Sequence, residues 1–313
     1  MKFITTNLDK FVKIFGGLLL IVGLIAAFYG PAEIYCFYMF TKVGPFNYEG
    51  FTIGTFWFAL LVVQNISYYL LAFFLIPIGI GLIKLRDWGR YLACNSLYVW
   101  IIFGFSIFIS FFVSIPKFLD NLSINKIGAI GLFLFLGGIA IPFIFIKLFN
   151  SHKVVELFRS EKNTFLSKIS PSVLLITTLN LLLIIFFHIS IFFNCLFPLF
   201  GRFIFLREGM CWLSGSILSI GILTYLYFKK YKIGFWGLIV YYVLLLISVI
   251  LTFGKYSTRG IIQLLNYSQY EHDKTISVLS SLLNFNLTTF FMSVIVIALG
   301  LIIFSKKEFA TRE

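Results

Sequence analysis

The feature that most constrains this chain is where charge is missing: eight long windows contain no Asp, Glu, Lys or Arg. They run from Ile14 to Ala32, Gly50 to Ile83, Tyr91 to Pro116, Ile127 to Ile146, Ile169 to Gly201, Gly209 to Phe228, Ile233 to Gly254 and Thr275 to Ser305. Crossing a hydrocarbon core of about 30 Å takes roughly 20 helical residues, and the helix satisfies every backbone polar group internally. Each window can supply one such helix. The second is too short for two spans and a turn, so its helix is placed near Ala59 to Ile83, with Phe51 to Phe58 at the interface. The expected fold class is all-α integral membrane, with about eight transmembrane helices. Composition agrees, since 60% hydrophobic, 20% aromatic and only 12% charged residues is far from the soluble average.

Basic residues set the orientation, because Lys and Arg in short loops are retained on the cytoplasmic side. Assigned to alternating sides, 17 of the 25 fall with both termini and with the connections at Lys84 to Arg90, Lys147 to Lys168 and Lys229 to Lys232. The other 8 are Lys42, Lys117, Lys126, Arg202, Arg207, Lys255, Arg259 and Lys274. Both termini are therefore expected in the cytoplasm, and the net charge of +13 is topological, not a nucleic-acid footprint. A basic start, an apolar run and small residues at Ala26 and Ala27 imitate a secretory signal, yet the run suits a span better than a cleaved segment.

Four spans lie on each side of a central basic segment, and the order of loops repeats. Phe228-Lys-Lys-Tyr-Lys-Ile-Gly234 stands where Lys84-Leu-Arg-Asp-Trp-Gly-Arg90 stands in the first half. Ile303-Phe-Ser-Lys-Lys307 likewise stands where Leu148-Phe-Asn-Ser-His-Lys153 does. The organisation expected is a four-span unit over 1–150, a basic linker over 151–170, and a second four-span unit over 171–313, forming two parallel four-helix repeats. In the linker, Val154, Leu157 and Phe158 share a helical face, which predicts a short interfacial helix.

Gly79-Ile-Gly-Leu-Ile-Lys-Leu-Arg-Asp-Trp-Gly-Arg-Tyr91 and the tail Phe149-Asn-Ser-His-Lys-Val-Val-Glu-Leu-Phe158 resemble motifs of uncharacterised bacterial inner-membrane proteins. The likeness covers roughly residues 60–160. It implies a bacterial inner-membrane location and carries no activity or ligand. Physically, Gly79 and Gly81 permit close helix approach, Trp88 suits the headgroup layer, and Lys84, Arg86 and Arg90 anchor the turn on the cytoplasmic side.

No window interior holds a charged side chain, the usual coupling element of an ion-driven transporter. Pro77 and Pro142 interrupt the second and fourth spans without counterparts in the sixth and eighth. The three histidines, His152, His188 and His272, are too scattered to share a metal, and no metal or cofactor is expected. Cys195 and Cys211 could bridge across one connection, leaving an odd thiol. What remains is polarity inside the spans: Thr177, Asn180, His188 and Cys195 fall on a candidate stripe of the fifth, with His188 expected to face the bundle. Ser96, Ser106 and Ser110 do the same in the third, and Gly215 and Ser219 form a small pair in the sixth.

The function expected is a non-enzymatic membrane protein with an assembly, envelope-maintenance or accessory role. The alternative is a permease for a small or lipidic molecule. A third reading is an enzyme using Glu33, Glu49, Glu208 or the triplet Glu271-His272-Asp273 on a lipid-linked substrate. Expected partners are the lipid bilayer and a membrane protein or second copy of the chain, with no nucleic acid.

Overall fold

The computed structural model describes residues 2–40, 55–119, 122–158, 168–265 and 285–309. It is an all-α integral membrane fold. Eight helices among the described residues are long and apolar enough to span a bilayer: Lys2–Phe40, Phe56–Ile83, Asp87–Leu119, Ile124–Phe149, Pro171–Ile191, Leu206–Phe228, Lys232–Phe253 and Leu287–Phe304, numbered here as spans one to eight.

Their ends differ from the charge-free windows where local chemistry overrides hydropathy. The first helix continues through Pro31 and Glu33 to Phe40, about 58 Å of helix. The second begins at Phe56, because the Thr55 hydroxyl accepts from the Phe58 amide and caps the first turn. The fifth stops at Ile191, well before Gly201. Beyond it, Phe197–Leu199 and Arg202–Ile204 pair as a short antiparallel hairpin. Hydroxyls of the seventh span hold that hairpin: Ser248 accepts from the Phe200 amide at 3.1 Å and Thr252 from the Gly201 amide at 2.9 Å. In the fourth span, the turn Leu136–Ala140 is wound as a π-helix just before Pro142, whose ring nitrogen has no hydrogen to donate. The Gly137 carbonyl in that turn is taken by the Trp100 indole at 3.0 Å.

The chain divides into two compact units, residues 1–98 with 142–171 and residues 99–141 with 172–313, so the division cuts across the third and fourth spans. The first unit is built on the pairing of spans one and two. Gly16, Gly23 and Gly30 face Gly79 to Ile83, Leu75 to Ile76 and Tyr69 respectively, in seven-residue steps on both helices. A Cβ at Gly16 would sit 2.8 Å from that of Leu82, and one at Gly79 would sit 2.7 Å from the Gly16 carbonyl. Its core joins Val12, Ile78, Leu82, Ala93, Cys94, Phe149, Val154 and Phe158. The predicted linker helix exists as His152–Leu157, and its apolar face is packed into this core, with Val154 and Phe158 fully buried.

In the second unit the seventh span packs between the sixth and the eighth. Ile176, Leu213, Ile220, Tyr227, Leu238 and Ile302 are its largest fully enclosed side chains. Gly104 and Gly138 bring the third and fourth spans into backbone contact: a Cβ on Gly104 would lie within van der Waals overlap of the Gly138 backbone. The third span also binds the start of the eighth, where the Ser114 hydroxyl accepts from the Asn286 amide at 2.9 Å and Ser110 donates to the Asn286 carbonyl.

Candidate functional site

The turn between spans two and three explains most of the motif. Leu85 takes φ 52°, its amide donates to Leu82 O at 3.1 Å, and the Arg86 amide donates to Gly81 O at 2.7 Å. These paired bonds satisfy the last carbonyls of the second helix. Gly81 then meets Gly89 so closely that a Cβ on either would lie 2.6 Å from the other's backbone, and the Trp88 ring covers Gly81. Gly79 faces the first span instead. Of the three basic residues, Lys84 is exposed and Arg86 half-buried, while Arg90 is only 8% exposed.

Arg90 is turned inward by three partners. Its Nε and Nη2 both lie 3.0 Å from Asp87 Oδ1, its Nη1 donates to Asn150 Oδ1 at 3.4 Å, and its guanidinium sits 4.7 Å over the Tyr91 ring. The Cys94 thiol approaches the same Asn150 oxygen at 3.9 Å. Asn150 belongs to the Phe-Asn tail, so two sequence segments that looked like separate motifs meet in one junction.

The intramembrane stripe is broken up. Asn180 is completely buried, accepts from the Tyr242 hydroxyl at 2.6 Å and donates to Thr224 Oγ1 at 2.9 Å; the Thr224 hydroxyl in turn donates to Ile220 O at 2.6 Å. This chain joins spans five, six and seven through three buried side chains. His188 does not face the bundle with Asn180. It is exposed, and its Nδ1 lies 2.8 Å from the Ile184 carbonyl one turn back. Eight residues are about 80° around a helix, so turning Asn180 inward carries His188 away, and the carbonyl of its own helix satisfies it. Thr177, half-buried, lies on the same side as His188 and has no hydrogen-bond partner for its hydroxyl among the described residues. Cys195 is off the helix altogether, in the turn after Ile191 with φ 55°.

Thr224 and Tyr242 escaped the sequence reading because a stripe search runs along one helix, whereas their roles exist only across three. Glu33, a candidate acid of the enzyme reading, makes a contact that the sequence does not show. It lay one residue past the first charge-free window, yet the helix carries it onward into contact with span two. There Glu33 Oε1 accepts from Gln64 Nε2 at 2.5 Å and from the Tyr68 hydroxyl at 3.2 Å.

Among the described residues no three of His, Cys, Asp and Glu come together as metal ligands. All four cysteines are free, so Cys195 and Cys211 are unbridged, and burial pushes the Cys195 thiol above its ordinary range. Glu208 is exposed in the first turn of the sixth span. Glu49 and the Glu271-His272-Asp273 triplet lie outside the described residues. No protein-family model, curated protein or solved structure matches the chain.

Proposed function

We propose that this is a non-enzymatic bundle of the bacterial inner membrane, with both termini cytoplasmic, serving an assembly, envelope-maintenance or accessory role. The observation that carries the reading is the closure of the Asn180 chain. Tyr242, Asn180 and Thr224 spend their hydrogen-bonding capacity on one another and on the Ile220 carbonyl, which is how polar residues hold spans together rather than receive a passing solute. The basic asymmetry of 17 to 8 supports the orientation.

The two halves are read as parallel repeats, and the turns support this. Lys230 has φ 62° where Leu85 has 52°. The Tyr231 amide donates to Leu226 O at 2.9 Å where Arg86 donates to Gly81 O. Gly234 presses on the backbone of Leu226 and Tyr227 where Gly89 presses on Gly81 and Leu82.

Tyr242→Phe tests the function. On the assembly reading, a cellular phenotype should track the abundance of folded protein across variants of this junction, and purified protein in liposomes should pass no solute. Loss of the phenotype at unchanged abundance, or solute uptake by the liposomes, would favour the permease. One observation already speaks for that second reading: a carboxylate, Glu33, in the first span.

A further inference from the structure

We propose that the π-turn of the fourth span is a hinge, and that the Trp100 indole is the latch that holds it in one position. The count of backbone bonds shows why a latch is needed. The Ile141 amide donates to Leu136 O, five residues back instead of four. At that spacing the next donor is residue 142 and its acceptor Gly137 O, but Pro142 has no hydrogen to give. The Trp100 indole donates to this same carbonyl at 3.0 Å. Span three thus supplies the bond that the proline removes. At ordinary helical spacing the carbonyl deprived by Pro142 is that of Gly138, and it lies against Gly104, also of span three.

The place of the turn makes the indole hard to replace. Gly137 stands at the middle of the 26-residue helix Ile124–Phe149, about 20 Å from either end. In hydrocarbon no water can take over from the indole, and a bare carbonyl there is costly.

The two halves of the span are held differently. After the turn, Ile146 and Phe149 are buried, and Phe149 belongs to the core of the first unit. Before it, Ile127 packs against Phe111 and Phe118 of span three, while Ile130, Leu132, Phe133 and Phe135 are exposed. The chain also passes from one compact unit to the other between Ile141 and Pro142. Beside the turn Gly104 and Gly138 meet backbone to backbone, so the helix can roll there without interlocked side chains. A π-turn, two glycines and a proline within residues 136–142 concentrate bending at this point. Such a hinge serves an assembling bundle and a permease alike.

The test is a pulsed electron-spin distance measurement on the full-length protein in lipid, lacking its native cysteines and labelled at Lys126→Cys and Lys147→Cys. Both positions are exposed and lie about 30 Å apart along the helix. The latched protein should give one dominant distance. Trp100→Phe keeps a ring but loses the N–H, and should add a second, shorter distance, because bending brings the helix ends together. Pro142→Ala restores a backbone donor, so Trp100→Phe in the Pro142→Ala background should return to the single distance. That rescue separates a latch from simple packing by the Trp100 ring. A distribution unchanged by Trp100→Phe would overturn the hinge, as would a change of equal size with and without Pro142→Ala. A protein with Trp100 intact that already populates both distances would overturn the latch.

Discussion

Arg90 and Asn150 stand sixty residues apart in sequence, yet the Arg90 Nη1 donates to Asn150 Oδ1 while the same guanidinium is held by Asp87. The contact ties the turn after the second span to the end of the fourth within the first unit. Removing one partner of a largely buried pair leaves the other uncompensated. Arg90→Ala should therefore lower stability by about 2–4 kcal/mol, measured by denaturation in mixed micelles. Arg90→Lys should recover only part, because an ammonium cannot reach Asp87 and Asn150 in the guanidinium's fork geometry.

Gly89→Ala and Gly234→Ala are expected to behave alike. Each added methyl would meet backbone at van der Waals overlap, Gly81 in one case and Leu226 and Tyr227 in the other, and backbone cannot rotate aside. Each should cost about 1–3 kcal/mol. Gly215→Ala and Gly300→Ala, which have open space around them, should be near neutral. A large loss at Gly89 with none at Gly234 would count against the repeat.

Much of this architecture is legible in the sequence because lipid imposes it: a span must be apolar and about 20 residues long, and charge marks where it ends. Hence the eight helices and the turn at Lys84 to Arg90 could be read directly. What is not legible depends on contacts between segments. His188 and Asn180 look alike in a one-dimensional stripe, but only the neighbours of the fifth span decide which of them is buried. Glu33 is legible as an acid near the outer interface but not as a residue within the first helix, because hydropathy does not register a carboxylate that Gln64 and Tyr68 accommodate. Thr252 and Ser248 looked like incidental polar residues until a hairpin required donors and acceptors from them.

Asn180→Leu should destabilise by about 1–3 kcal/mol, because it strands the Tyr242 hydroxyl and removes the donor to Thr224. Tyr242→Phe should cost less, about 0.6 kcal/mol. The double variant should be less damaging than the sum of the two, which a double-mutant cycle measures directly.

Orientation can be checked with single cysteines in a background lacking the native four. Those at Lys84, Lys153 and Lys229 should be shielded from an impermeant thiol reagent in intact cells, and those at Lys42, Lys117 and Lys274 should react. Labelling of the first group would reverse the assignment drawn from the basic residues.

The glycine pairing of spans one and two has a genetic consequence. Hydrogen fits at Gly16, Gly23 and Gly30 only while each returns to the same side of its helix. One inserted or deleted residue between Gly16 and Gly30 would rotate everything beyond it by about 100° and set a side chain in place of glycine against Leu75 and Ile76 or against Tyr69. Changes of seven residues would restore the phase. Descendants of this sequence should therefore vary freely in the identity of the intervening Leu, Ile and Val, but gain or lose length in this stretch by whole heptads.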